Sequence, residues 1–205
     1  AEAMGLTFEP PKGWVCCGPT PAHSTSHEMA NVMPMRSVAL AEMQGYTRMT
    51  VPCTGCYIRF KSALHEVQTN PQAADEVAKV LDGYRYTGEI KVDHLLNTFT
   101  EDVGYDAIEA KVVKPLAGLK VVCYYGCVIT RPPAITGAPR YEYPMNMDYL
   151  VRRLGAETLD WSYKTECCGV SLAFSELGIM LKLSQKILKN AKDVGAEAIV
   201  AACPL

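Results

Sequence analysis

The chain has 205 residues, of which 49% are hydrophobic and 20% are charged, and its formal net charge at pH 7 is −2. This balance is typical of a folded globular chain and excludes disorder as its main state. The near-neutral charge excludes the global basic field that draws proteins to nucleic acid, so we expect no nucleic-acid partner. Apolar stretches such as 119–128 are about half as long as a membrane span, so we expect no direct membrane span.

Nine cysteines are the most informative residues of the chain. Their number is too low for a small disulfide scaffold, and no secretory signal precedes them, so we expect a reducing, cytoplasmic setting. In such a compartment, clustered cysteines bind metal or do redox work more often than they form structural bridges. The cysteines are Cys16, Cys17, Cys53, Cys56, Cys123, Cys127, Cys167, Cys168 and Cys203.

The elements predicted in the first half begin with a helix that ends near Gln44, followed by Gly45 and a short strand before Cys53. Residues 57–118 are predicted to be a helical connecting segment. Within it we expect a helix with Phe60, Ala63, Leu64 and Val67 on one face, a second helix at 71–81, and a short strand and helix at 89–100.

The second half begins with an apolar strand, LKVVCYYGC, that ends at Cys127. A helix is predicted next because apolar residues recur every three or four positions, and Gly195 is a natural stop for it. A short buried strand, AEAIVAA, then ends at Cys203. The residues predicted for the buried helix face are Met180, Leu183, Ile187, Ala191 and Val194.

The two halves repeat one arrangement. Both contain CCG, then a helix, a glycine, a strand and a further cysteine, with 35 residues between Cys17 and Cys53 and 34 between Cys168 and Cys203. We interpret them as two copies of one α/β unit that delivers thiols at the carboxyl end of a strand. The expected boundaries are 1–56 for a first copy lacking its N-terminal part, and 119–205 for a second copy lacking its C-terminal end. The chain is therefore expected to be an internal piece of a longer protein.

Adjacent cysteines are poor ligands for one tetrahedral zinc, because neighbouring side chains diverge. Two neighbouring thiolates can instead attach to different irons, so the pattern C…CC…CxxC favours a multinuclear cluster. The spacing of ordinary cubane ferredoxins is absent. A zinc-stabilised structural scaffold remains the alternative from another class.

These motifs resemble the cysteine-rich CCG domains of HdrB, the disulfide-cleaving subunit of heterodisulfide reductase, over essentially the whole chain. The resemblance rests on Cys16-Cys17-Gly18, Cys53-Thr54-Gly55-Cys56, Tyr125 to Pro132, Cys167-Cys168-Gly169 and Cys203-Pro204. It implies an α/β fold of two pseudo-symmetric repeats with short sheets and covering helices, which face each other across iron-sulfur clusters at the strand ends. It also implies two non-cubane 4Fe-4S clusters. One would use Cys16, Cys17, Cys53 and Cys56, the other Cys127, Cys167, Cys168 and Cys203, with Gly18 and Gly169 as further cofactor-binding residues.

The activity that the resemblance implies is reductive cleavage of a small-molecule disulfide, of the coenzyme M and coenzyme B type or a related thiol carrier. Its implied partners are an HdrC-like ferredoxin subunit and an HdrA-like flavoprotein subunit. The same domain also occurs in electron-transfer subunits of succinate, fumarate, lactate or glycolate oxidoreductases, which is the redox alternative. In that case a partner subunit could hold the complex at a membrane.

A few other residues are candidates for roles near the cysteines. His23 and His27 follow the first CCG and could donate a proton to a departing thiolate, or simply begin a helix. Arg131 could bind an anionic substrate tail or pair with a carboxylate. Cys123 is expected to be a buried free cysteine, and the tryptophans that precede the CCG motifs, Trp14 and Trp161, are expected in the core.

Overall fold

The computed structural model describes residues 1–19 and 24–204. The chain divides into two compact units, the first spanning Phe8–Leu95 and the second spanning Ala1–Thr7 with Leu96–Leu205. The predicted connecting segment is thus shared, because residues 57–95 group with the first unit and residues 96–118 with the second. Both units combine parallel strands with helices, which confirms the α/β class.

In the described part of the first unit, three helices pack beside a two-stranded sheet. Its elements are α1 (His27–Met43), β1 (Arg48–Val51), α2 (Thr54–Thr69), α3 (Pro71–Val80) and β2 (Lys91–His94). Strands β1 and β2 are parallel, with Arg48 opposite Lys91 and Val51 opposite His94. Apolar residues of the three helices form the core, including Met35, Val38, Phe60, Leu64 and Val77.

The second unit is built around a three-stranded parallel sheet in the order β4-β3-β5. It is entered through α4 (Leu95–Asn97), which begins at the last residue of the first unit and is continued by a π-helical turn at Thr98–Val103. Its further elements are α5 (Tyr105–Glu109), β3 (Lys120–Tyr124), α6 (Pro133–Thr136), α7 (Asn146–Arg153), β4 (Glu157–Thr158), α8 (Leu177–Asp193) and β5 (Ala198–Ala201). Short 3-10 turns lie at Glu2–Met4 and Val170–Leu172. A core cluster joins sheet and helix through Val122, Trp161, Ile187 and Ala191.

The two predicted helix-glycine-strand units are confirmed, and both helices stop in the same way. Gly45 has φ of 80°, and the Tyr46 N–H after it donates to the Ala41 carbonyl at 3.0 Å. At the end of α8, Gly195 has φ of 83°, and the Ala196 N–H donates to the Ala191 carbonyl at 3.1 Å. Glycine reaches this left-handed conformation without the steric cost that a Cβ imposes.

The strand before Cys203 is less buried than its sequence predicts. Ala198 and Ala201 are exposed, and Ile199 and Val200 are only partly buried, because β5 lies at the edge of the sheet. The face predicted for α8 is likewise only partly covered: Ile187 and Ala191 are buried, whereas Val194 is exposed. The buried strand of this sheet is β3, at its centre.

A buried ion pair holds the loops beyond β3 and β4 together. The Lys164 ammonium donates to a carboxylate oxygen of Asp148 at 2.7 Å, and both side chains are almost completely buried. The Tyr125 hydroxyl donates to the other oxygen of Asp148, also at 2.7 Å, and accepts the Met147 N–H at 2.8 Å. The backbone closes the connection, because the Lys164 carbonyl accepts the N–H groups of Tyr125 and Gly126.

This network fixes the approach of two cysteine loops. Tyr125 lies two residues before Cys127, and Lys164 lies three residues before Cys167. Hydrogen-bonded polar groups in a low-dielectric interior restrict the chain to one arrangement. Breaking any of these hydrogen bonds would leave a buried polar group without a partner or water.

Substitution of Lys164 by Met should destabilise the second unit by about 3–5 kcal/mol, because it leaves the Asp148 carboxylate buried without its cation. The double variant Lys164→Met/Asp148→Asn should recover most of this loss, since it removes the stranded charge. The measurement is hydrogen exchange at the Tyr125 and Gly126 amides of the full chain, compared with Lys189→Met, which breaks only an exposed pair with Asp193. Equal protection in Lys164→Met and the wild type would contradict the role of the pair.

Two candidate thiol centres

The four cysteines predicted for the first set come together in the first unit. Cys16 and Cys17 lie on the loop before α1, Cys53 directly precedes α2, and Cys56 lies in its first turn. The sulfur atoms of Cys17 and Cys56 are hydrogen-bonded at 3.0 Å. Cys53 also hydrogen-bonds to Cys56, and Cys16 interacts electrostatically with Cys17 and with Cys56.

The second set gathers in the second unit beyond the carboxyl end of β3. Cys127 hydrogen-bonds to Cys167 and interacts electrostatically with Cys168. Cys203 follows β5 at the same edge of the sheet, since the Ala202 N–H donates to the Tyr124 carbonyl at 3.1 Å. The parallel arrangement of β3 and β5 therefore delivers both chain segments to one place.

The two CCG loops share one local geometry. The Gly18 N–H lies 3.5 Å from the Cys16 sulfur, and the Gly169 N–H donates to the Cys167 sulfur at 3.3 Å. Both glycines have a positive φ, 64° and 78°. A backbone N–H directed at sulfur stabilises the thiolate, which is the form that binds metal. Each loop thus turns back on the first cysteine of its pair.

Crowding opposes the joint ionisation of these thiols. The hydrogen bond between Cys17 and Cys56 lowers the pKa of Cys17 and raises the pKa of Cys56 to about 11. Burial, followed by the nearby Cys167, raises the pKa of Cys127 to about 11. Each added thiolate is repelled by its neighbours, so full ionisation needs a cation among the sulfur atoms.

The donor chemistry fits an iron-sulfur centre. All nine cysteines are free, and eight of them are the predicted ligands. Thiolates are the ligands that hold iron-sulfur clusters, and two adjacent cysteines can serve different irons of one cluster. Within residues 1–19 and 24–204, no three His, Cys, Asp or Glu side chains are arranged to hold a single metal ion.

The other predicted residues have more varied surroundings. Arg131 donates to the Thr165 hydroxyl at 2.9 Å, which links the segment after Cys127 to the one before Cys167. His27 is exposed at the start of α1, with its ring nitrogen 3.9 Å from a Glu66 carboxylate oxygen. His23, the other histidine considered for proton donation, lies outside the described residues.

Cys123 is buried and free, as expected, and burial raises its pKa to about 12. The prediction for the two tryptophans is only half confirmed. Trp161 is buried, and its indole N–H donates to the Cys123 carbonyl at 3.1 Å. Trp14 is 60% exposed, so the expectation that it lies in the core is wrong.

The buried pair of Lys164 and Asp148 was not predicted. The sequence carries only a weak signal for it, namely a lysine three residues before a CCG motif and a tyrosine two residues before Cys127. A lysine is seldom buried, so sequence alone places it at the surface. Its partner lies 16 residues earlier and meets it only through the tertiary fold.

The fold and the two thiol sets define an α/β protein that collects free cysteines at the ends of parallel strands. A family model described as CCG, cysteine-rich domain, matches residues 1–61 and 121–205. The chain belongs to this family. Its two matched stretches contain the eight cysteines of the two sets.

Three curated proteins are similar to most of the chain. The 8-methylmenaquinol:fumarate reductase membrane anchor subunit of Wolinella succinogenes is 28% identical over 100% of this chain and 71% of its own length. The B subunit of the ferredoxin/F(420)H(2)-dependent CoB-CoM heterodisulfide reductase of Methanosarcina acetivorans is 28% identical over 94% of this chain and 65% of its own length. The B subunit of the ferredoxin:CoB-CoM heterodisulfide reductase of Methanosarcina mazei is 27% identical, with the same two coverages. The chain thus spans about two thirds of the length of these relatives.

None of the helices in the described part of the chain combines the length and the apolar character that a membrane crossing requires.

Substitution of Gly169 by Ala should displace the second CCG loop. An added Cβ would lie 2.9 Å from a Leu183 methyl carbon and 3.0 Å from the Met180 Cα, in a conformation that also disfavours a side chain. We expect a loss of about 2–4 kcal/mol in the free energy of unfolding, from overpacking and backbone strain together. The matched control is Gly195→Ala, where no atom lies within 4 Å of the added Cβ, so only the strain of about 1–2 kcal/mol remains. Chemical denaturation of both variants measures the difference, and equal losses would contradict the clash.

In the metal-free chain, alkylation of Cys127 by iodoacetamide should require a higher pH than alkylation of an ordinary cysteine. Only the thiolate reacts, so a pKa raised to about 11 means that alkylation becomes rapid only above the ordinary range of cysteine. Cys167→Ala removes one cause of the raised pKa and should move the pH profile of alkylation to lower pH. The shift should be partial, because Cys127 remains buried. Peptide mass spectrometry follows the reaction, with Cys53→Ala as the control in the other unit. An unmoved profile in Cys167→Ala would show that the two thiols do not interact.

Proposed function

We propose that the chain holds two non-cubane 4Fe-4S clusters and works as the HdrB-like component of a heterodisulfide-reductase-like complex. One cluster is assigned to Cys16, Cys17, Cys53 and Cys56, and the other to Cys127, Cys167, Cys168 and Cys203. The observation that carries this proposal is the duplicated gathering of thiols, each with a CCG loop whose glycine N–H is directed at the first sulfur.

When bound, such clusters exchange electrons one at a time and bind sulfur, which suits the stepwise cleavage of a disulfide. The protein's own part is to hold the thiolates and set their surroundings. Gly18 and Gly169 direct N–H groups at sulfur, and hydrogen bonds to sulfur tune a cluster's potential. Arg131 uses one of its five donors on Thr165, and we propose that the others bind an anionic tail of the substrate.

The names of the Methanosarcina relatives support this assignment. Both are heterodisulfide reductase subunits that match 94% of the chain. We propose a small-molecule disulfide as the substrate, with an HdrC-like ferredoxin subunit and an HdrA-like flavoprotein subunit as partners in the cytoplasm. Electrons would reach this chain through the ferredoxin-like partner.

A second candidate is an electron-transfer subunit of a fumarate reductase or a related oxidoreductase, without disulfide chemistry. The relative that favours it is the Wolinella succinogenes membrane anchor subunit, which matches the whole of this chain. In that function the two thiol sets would pass electrons between partner subunits, and a partner could hold the complex at a membrane.

The test is the iron, acid-labile sulfide and zinc content of the full-length protein purified without oxygen, with EPR spectra before and after treatment with disulfides. We expect about eight irons per chain and a new paramagnetic signal on disulfide treatment. Iron without any response to disulfides would favour the electron-transfer candidate. Stoichiometric zinc without iron would contradict both.

Cys168→Ser should reduce the iron content to about four per chain, because it removes one thiolate of the second set only. Cys123→Ala is the matched control, since Cys123 is equally a free cysteine of the second unit but lies within β3. Full iron content in Cys168→Ser would contradict the assignment of the second set.

A further inference from the structure

Arg59 lies on the same face of α2 as a cysteine of the first set. It follows Cys56 by three residues, which is about one turn of an α-helix, so the two side chains project on the same side. Cys56 is in turn hydrogen-bonded to Cys17. Helix α2 therefore places the Arg59 side chain on the side of the first thiol set.

The Arg59 side chain has a donor that nothing in the described part of the chain satisfies. Its Nε atom is buried and has no hydrogen-bond partner. Burial lowers the pKa of Arg59, and the nearby Cys17 opposes that shift, so the cation interacts with the thiol set. A buried N–H of a cationic side chain is costly when it has no partner, and an anionic acceptor complements it.

A centre bound by four thiolates supplies such an acceptor. The ligands bring four negative charges, and sulfur atoms accept hydrogen bonds from N–H groups. The other donors around this set are weaker, because Gly18 offers a neutral backbone N–H. Arg59 offers both a donor and a full positive charge, which favours the more negative, reduced state of a redox centre.

We propose that Arg59 donates its Nε–H to a sulfur of the anionic centre bound by the first thiol set, and thereby raises the reduction potential of that centre. This inference rests on the proposed function and adds to it a residue that tunes one of the two centres.

The experiment is a redox titration, monitored by EPR, of the anaerobically purified full-length chain. Arg59→Met should lower the potential of the first centre by about 59 mV or more, the equivalent of a tenfold change in a one-electron equilibrium, and leave the second centre unchanged. Arg59→Lys should restore most of the shift, because it keeps the charge but loses the planar donor. Arg85→Met is the matched control, since it removes a positive charge from the same unit where Arg85 is exposed and paired with Asp75.

Iron content separates this proposal from the proposed function. Full iron with an unchanged potential in Arg59→Met would overturn the role of Arg59 and leave the clusters in place. If the wild type instead binds zinc, the proposed cluster function is wrong. The zinc affinity of the first set then tests whether Arg59 interacts with the bound centre. In that case Arg59→Met should weaken zinc binding about tenfold and Arg59→Lys should restore it, whereas equal affinities would overturn the proposal.

Discussion

Parallel strand pairing is the constraint on which the second thiol set depends. Strands β3 and β5 run in the same direction, with Val121 opposite Ala198 and Tyr124 opposite Ala201. Their carboxyl ends therefore meet at one edge of the sheet, and the cysteines that follow them reach the same place. The chain needs a crossover to make each parallel pair, and α8 with its glycine stop supplies the last one. The repeated order of helix, glycine, strand and cysteine thus places thiols at the carboxyl ends of the strands.

Bringing thiols together has an electrostatic cost, and the fold offsets it locally. The glycine N–H groups of both CCG loops are directed at sulfur, and the buried pair of Lys164 and Asp148 fixes the segments that carry Cys127 and Cys167. The fold therefore brings several thiols of each set near one another. Bound metal would relieve the repulsion among their thiolates.

The sequence predicted the architecture well because the signals were local and occurred twice. The glycine stops of both helices and the cysteines after both strands were identified from spacing alone, and the structure confirms those elements. The two tryptophans differ although their positions in the sequence are similar. Trp14 and Trp161 occupy similar places before the CCG motifs, yet only Trp161 finds a buried partner, the Cys123 carbonyl.

Arg59 and Lys164 were not predicted near the thiol sets, for a related reason. The helical spacing of Arg59 from Cys56 is visible in the sequence, but the isolation of its Nε atom depends on packing from other segments. The burial of Lys164 likewise depends on an aspartate and a tyrosine brought to it by the fold. Sequence periodicity identifies which residues can share a face, whereas tertiary packing decides which polar atoms lose water.

The most direct test of the two proposed clusters is X-ray absorption at the iron and zinc edges of the full-length protein purified without oxygen. Two multinuclear thiolate centres predict iron coordinated by sulfur together with strong iron–iron scattering. Zinc coordinated by sulfur, with no metal–metal scattering, would contradict them, because the cysteine sets would then hold isolated ions.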